Sequence, residues 1–288
     1  MNGLPARTQE PSFSPAMILP GKTFSAFLDT MRALSLSLVI AMCACTPNTP
    51  KDATEDPLSA ARRLAAEGNF EQALEKHVWI HNHALEVNPG YYGVRLSFAL
   101  SEWVELGSKY PKALATLKSI RDEKTARLLA GDADRELFHD VASINDYLKD
   151  TSATVELFKK LDGTHPEFAV SVFDLADESL IAAREYALAK KYLGDPMKRF
   201  ATAKQRFDQG MKYAASSRML DASRKAYENI FTKETVGIIT LLDKTGDSQL
   251  AREVQSKALA VLNNPAIRNS LTSESQNKPA APSVSVNN

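Results

Sequence analysis

Cysteine is nearly absent from this chain. Its 288 residues hold two, Cys43 and Cys45, one residue apart. No disulfide can therefore staple the region that follows them. Net charge is missing too, with 35 basic residues against 35 acidic ones. The run from Ala33 to Ala44 is apolar apart from Ser35 and Ser37, but it falls well short of the roughly 20 residues that cross a bilayer. Neither phosphate-binding loop, G-x-x-x-x-G-K-[ST] or G-x-G-x-x-G, occurs, and there is no G-x-S-x-G nucleophile elbow. No convincing run alternates with period two, which argues against a sheet protein.

What is present begins with order. Arg32 precedes the apolar run, small Ala44 ends it, and Cys45 follows. The apolar run has about the length of a signal-peptide h-region, with a positive charge before it and a small residue at its end. Residues 1–30 carry prolines and no clear periodicity, and Met31 is a plausible start.

Met31 to Cys45 resembles a bacterial lipoprotein signal peptide with its lipobox. The resemblance implies cleavage before Cys45 and acylation of its thiol and amino group. Met42 stands where Leu is usual, and Cys43 where a small residue is usual. Cys43 as acceptor would put bulky Met42 at the cleavage site, so Cys45 is preferred. Thr46 in place of Asp implies sorting to the outer membrane, facing the periplasm. Two or more acyl chains would make the anchoring stable.

Thr46 to Pro57 has three prolines and no aromatic residue; it reads as a tether that cannot offset its own ordering. Asp56-Pro57 then marks a helix start, with Asp as cap. From Leu58 the pattern is helical, rich in Ala, Leu, Glu, Lys and Arg, with apolar residues at three- and four-residue steps. The spacing predicts helices over 57–67, 70–87, 92–108, 111–129, 133–149, 152–162, 167–183, 186–193, 196–215, 218–230, 232–244 and 248–262. Glycines such as Gly68, Gly107, Gly131 and Gly163 are expected at helix ends. Residues 270–288 are polar and are expected to be disordered. The organisation expected is a cleaved segment 1–44, a tether 45–57, a helical domain 58–269 and a tail.

Within the helical domain, Gly68-Asn-Phe-Glu-Gln-Ala73-Leu74 reads G-x-[FY]-x-x-A-L. Tyr110-Pro-Lys-Ala113-Leu114, the segment Thr154 to Leu161, Tyr186 to Ala189 and Gly246 to Ala251 repeat parts of it. These resemble tetratricopeptide repeats, antiparallel helix pairs of about 34 residues. The resemblance implies an all-α, tetratricopeptide-like solenoid. The small positions Ala73, Ala113, Thr154, Ala189 and Ala251 lie 40, 41, 35 and 62 apart. The last interval is expected to hide a degenerate unit around 198–230. A generic helical bundle is the alternative.

His77, His81 and His83 are the densest set of possible ligands. His77 and His81 share a helix face at a spacing that can hold zinc, but no Glu stands between them as in the metalloprotease arrangement. Packing is the preferred reading, so no metal and no cofactor is expected. His139, Asp140 and Ser143 are neighbours on one helix and cannot assemble a triad alone. Asp132, Asp134 and Glu136 fit a helix start. Trp79, Trp103, Tyr91, Phe98 and Tyr110 are expected mostly in the core, with Tyr91-Tyr92 the best candidates for exposure.

Charge is segregated along the chain. Thr46 to Ala189 holds 16 basic and 24 acidic residues, whereas Lys190 to Lys225 holds 10 and 3. In the basic segment Lys191, Lys198, Arg199, Lys204 and Arg206 interleave with Tyr192, Phe200 and Phe207. Phe200, Phe207 and Met211 share one helical stripe, so the aromatics are expected in the core and the cations on the face opposite. That face is the candidate partner-binding surface, for a protein or another anionic envelope component rather than nucleic acid. The function expected is a scaffold for protein–protein interaction at the envelope, not an enzyme. A helical hydrolase or a carrier of hydrophobic ligands is the alternative.

Overall fold

Several helices of this protein start where a proline follows a side-chain cap. Asp56 accepts the Ser59 amide at 2.9 Å ahead of Pro57, Asp195 accepts the Met197 amide at 2.8 Å ahead of Pro196, and Asn264 accepts the Ala266 amide at 2.7 Å ahead of Pro265. Each satisfies an amide that the first turn leaves unpaired, where proline lacks only a hydrogen it would not have used. The computed structural model describes residues 55–216 and 220–271. All belong to Lys51–Asn288, the second of two units into which the chain divides. Cys45, the expected signal peptide and nearly all of the tether lie outside them.

The described residues are all-α. In order they form α1 (Pro57–Ala66), α2 (Phe70–Val87), a short 3-10 turn (Pro89–Tyr91), α3 (Tyr92–Leu96), α4 (Phe98–Lys109), α5 (Pro111–Leu129), α6 (Arg135–Tyr147) and α7 (Thr151–Thr164). Then come α8 (Pro166–Ala182), α9 (Tyr186–Leu193), α10 (Pro196–Ser216), α11 (Leu220–Lys244), α12 (Ser248–Val261) and α13 (Pro265–Arg268). Among the described residues no helix is long and apolar enough to cross a membrane.

Sequence neighbours are neighbours in space: α1 packs on α2, α4 on α5, α7 on α8, α10 on α11 and α11 on α12. Next-but-one helices also touch, as in α2–α4, α4–α6, α5–α7, α6–α8 and α10–α12. The core follows this order. One apolar cluster, around Leu100, Trp103, Ala113 and Leu117, joins α1, α2, α4, α5 and α6. A larger one runs from Leu128 to Leu271 and includes Phe158, Phe173, Phe231 and Ile239. Trp103 is fully buried, and its indole Nε1 donates to the Ala113 carbonyl at 2.9 Å, tying α4 to α5. The five small residues singled out by spacing are all buried: Ala73, Ala113, Ala189 and Ala251 at 0 % exposure and Thr154 at 2 %.

The structure corrects four details. The helix expected over 92–108 breaks at Ser97, whose backbone leaves the helical region (φ −129°, ψ −89°). The helices expected over 218–230 and 232–244 are one 25-residue helix, α11, with Phe231 buried at its middle. The packed body reaches Leu271, buried at 5 %, two residues into the expected tail. Trp79 and Phe98 are exposed, at 38 % and 63 %, rather than in the core.

Turns show why glycine alone is an incomplete signal. Lys149 and Arg184 occupy the left-handed position after α6 and α8, with φ of 60° and 62°. The Asp150 amide reaches back to the Asn145 carbonyl, and the Glu185 amide to the Leu180 carbonyl, closing each helix as glycine usually does. Conversely Gly107 and Gly163 lie inside α4 and α7. A Cβ on Gly107 would sit 2.9 Å from the Leu114 Cβ and 3.2 Å from its amide nitrogen, so α4 and α5 cross at backbone contact. A Cβ on Gly163 would meet nothing within 4 Å. Gly107→Ala is therefore expected to cost about 2 kcal/mol by overpacking, while Gly163→Ala stabilises by about 0.5–1 kcal/mol through helix propensity. Urea melts of the two variants measure this; equal and opposite-to-expected shifts would remove the close crossing as the reason for Gly107.

Candidate functional site

The cleft with the strongest chemistry lies between α8, α10 and α11. On α8, Asp174, Asp177 and Glu178 recur at three- and four-residue steps and so share a face. On α10, Arg199, Ala203 and Arg206 do the same, as do Ile230, Lys233, Glu234 and Gly237 on α11. These faces line a cleft of about 460 Å³, whose apolar lining includes half-buried Ile181 and buried Ala203 and Ile238. Ala203 and Gly237 are small members of the lining, and a Cβ on Gly237 would lie 3.5 Å from the Ile181 side chain.

Every acid in the cleft has a cation from another helix. Asp177 pairs with Arg199 at 2.7 Å, Glu234 with Arg206 at 2.9 Å, Glu178 with Lys233 at 3.0 Å, and Asp174 with Arg135 of α6 at 2.8 Å. The Arg199 guanidinium also lies 5.0 Å from the centre of the Phe173 ring, which fixes it from a second side. The balance is uneven nonetheless. Burial pushes the Asp177 carboxyl up to about 6 despite Arg199, and burial raises Glu234 as well, with the Asp174 charge adding to both. At Asp174 burial works the same way, but the Arg135 hydrogen bond outweighs it and holds the carboxyl below its ordinary value. Glu234 keeps one enclosed oxygen, Oε2, without a hydrogen-bond partner. Carboxylates shifted by desolvation in a cleft are a mark of sites that handle ligands.

An apolar shelf adjoins the cleft. A second hollow of about 380 Å³, lined by Phe207, Gly210, Tyr213, Tyr227 and Phe231, shares Ala203, Arg206 and Ile230 with the first. Tyr213 and Ile230 are 64 % and 47 % exposed. Gly210 lets α11 come close, since a Cβ there would fall 2.2 Å from the Tyr227 ring. No known family, curated protein or solved structure matches the chain. The site therefore stands on its geometry.

Of the cations proposed for partner binding, Arg199 and Arg206 line the cleft, and Lys198 borders a hollow that shares Asp174, Arg199 and Arg206 with it. Lys191 instead pairs with Asp162 of α7 beside Tyr192, and Lys204 pairs with Asp208 one turn along its own helix at 2.7 Å. The acids Asp174, Asp177, Glu178 and Glu234 were not singled out from the sequence. Three carboxylates, Asp174, Asp177 and Glu178, on one face of α8 were the available signal.

The histidines lie elsewhere. The His77 ring stacks on Trp103 at 5.6 Å between centres, and His81 meets it edge-on at 6.2 Å. Both are buried, whereas His83 is exposed beside Glu86 at 3.3 Å. Among the described residues no group of three or more His, Cys, Asp and Glu side chains is arranged to hold a metal. Asp140 is buried and receives Arg95 of α3 at 2.5 Å and Lys124 of α5, with His81 Nε2 at 3.7 Å. Burial opposes its charge, but the Arg95 hydrogen bond and the charges of Lys124 and Arg95 hold its carboxyl below the ordinary value. Its neighbour His139 accepts or shares a proton with the Tyr92 hydroxyl at 2.7 Å. Asp134 caps α6 by accepting the Glu136 amide at 2.8 Å, a structural task.

Proposed function

We propose that this chain is a lipid-anchored protein of the bacterial cell envelope, held at the outer membrane through Cys45 and facing the periplasm. Its helix pairs form a tetratricopeptide-like array that serves as a scaffold for a protein partner. The cleft between α8, α10 and α11 is where that partner docks. The single observation that carries the docking reading is a 460 Å³ cleft that joins an apolar lining to paired charges from three helices. Such a surface suits an amphipathic segment of another chain.

Three features support the repeat reading. Most helices pack on the one that follows in sequence, and several also touch the next but one, as α2 does α4 and α6 does α8. The five small consensus positions are buried. Gly107 crosses α5 at backbone distance. The interval where the repeat spacing lapses is occupied by the long pair α10 and α11, of 21 and 25 residues. These two helices, with α8, line the cleft, and they alone line the shelf.

The test is photo-crosslinking in intact cells with the reactive group placed at Ile230 or at Lys198, followed by identification of the attached protein. A discrete adduct from both positions, lost in Ile230→Asp, is the expected result. Cys45→Ser should release the protein from the membrane fraction. Adducts that form equally well from exposed Lys109 of α4, which does not line the cleft, would remove the cleft as the docking site.

A further inference from the structure

The proposed docking reading leaves the chemistry of the docked segment open, and the cleft narrows it. We propose that the cleft receives one cationic side chain, lysine or arginine, from an extended partner segment, with its charged head among Asp174, Asp177 and Glu234 and an adjacent apolar residue on the shelf formed by Tyr213 and Ile230. This inference rests on the docking reading and names what the site selects.

The choice between a cation and an anion follows from which groups remain under-compensated. Both arginines are engaged: Arg199 holds Asp177 at 2.7 Å and lies over Phe173, and Arg206 holds Glu234 at 2.9 Å. The polar atom left without a partner is an acceptor, Glu234 Oε2. An incoming carboxylate or phosphate would have to share Arg199, Arg206 or Lys233, the three cations of the lining, with the carboxylate that each already holds. An incoming ammonium or guanidinium relieves repulsion that is already there, since the Asp174 charge acts against ionisation of both Asp177 and Glu234. The apolar lining completes the match. A lysine or arginine has a three- or four-carbon stem that gains from apolar burial while its head stays polar, and Ile181, Ala203 and Ile238 offer that surface in the same lining as the carboxylates. The shelf shares Arg206 and Ile230 with the cleft, so a neighbouring residue of the same segment can reach it.

Three hexapeptides, alike except at one position before a phenylalanine, test the proposal on the full mature chain in detergent by calorimetric titration. That position carries lysine, the uncharged norleucine, or glutamate. The lysine peptide is expected to bind about tenfold more tightly than the norleucine peptide, as a charge-assisted contact implies, and the glutamate peptide more weakly still. Asp174→Asn and Glu234→Gln should each bring the lysine peptide to the norleucine level, with unchanged circular dichroism showing that the fold survives. Ile230→Asp should weaken the norleucine peptide, whose contacts are apolar. Tightest binding by the glutamate peptide would overturn the proposal in favour of an anion site. Equal binding of the lysine and norleucine peptides, both lost in Ile230→Asp, would overturn the cation preference and leave the docking reading standing. No binding by any peptide at roughly 5 mM, a concentration that detects interactions of about 3 kcal/mol, together with no adduct from Ile230 in cells, would remove both.

Discussion

Asp140→Ala is expected to cost about 3–5 kcal/mol, the usual result of removing one member of a buried ion pair. Asp140 is 4 % exposed and Arg95 is 4 % exposed. Without the carboxylate, the Arg95 guanidinium keeps only the His81 carbonyl at 3.3 Å, and its Nε already lacks a partner. Lys124 loses its acceptor as well. A charge stranded in the core costs far more than the pair was worth, because the pair had already lost its hydration on folding. The comparison that isolates this cause is the double variant Arg95→Met with Asp140→Leu. It removes both charges and should be less destabilised than Asp140→Ala alone. Urea melts give the numbers. A single-variant cost under about 1 kcal/mol would mean that water reaches the cluster, and the buried-charge account would fail.

Asp140 also marks what the sequence could and could not disclose. Periodicity placed the helices, because an apolar stripe is a local property. Leu137, Val141 and Ile144 recur at helical steps and all face the core. Helix starts were legible for the same reason: an Asp or Asn before a proline acts on amides within three residues. Helix ends were less so. Ser97 breaks a helix with neither glycine nor proline, and Lys149 and Arg184 take a conformation that no side-chain pattern announces. Gly107 and Gly163 look alike in the sequence, yet one is pressed against α5 and the other has open space. Only the crossing of two helices distinguishes them.

The candidate site was half legible. Its cations form a visible excess between Lys190 and Lys225, and Arg199 and Arg206 do line the cleft. Their partners come from 22 and 28 residues away, Asp177 on α8 and Glu234 on α11. Lys190 pairs with Asp247, farther still along the chain. Ion pairing across helices is a tertiary fact, so a segment that reads as strongly basic is in large part neutralised where it sits. The cations of this segment that line the cleft therefore stand among carboxylates of α8 and α11. The α10 and α11 residues of the site lie between Ala189 and Ala251, where the small positions singled out by spacing are farthest apart.

Acidification from pH 7 to pH 4 is expected to remove most of the protein's stability, and the two buried histidines are the main reason. Burial lowers both His77 and His81 to about 4, with the Lys124 charge adding to the effect at His81 and Asp140 opposing it. The unfolded chain takes up protons near the ordinary histidine value of about 6.5, whereas the folded chain excludes them until about 4. Between those values the unfolded state binds more protons, so stability falls as pH falls. Each ring contributes on the order of 3 kcal/mol over that window, against a total of about 5–15 kcal/mol for a typical domain. Asp140 acts in the same direction at lower pH, because its folded value is depressed and its stabilisation is lost as it protonates. The uncharged state of His81 at neutral pH also means that its 3.7 Å approach to Asp140 is not an ion pair there. His77→Phe tests the cause directly. Phenylalanine keeps the stack on Trp103 and removes the enclosed, unpartnered Nδ1, so the loss of stability between pH 7 and pH 4 should shrink by about half. If the variant and the parent lose stability in parallel across that range, His77 takes up its proton as readily in the folded chain as in the unfolded one, and the packing account of this helix fails.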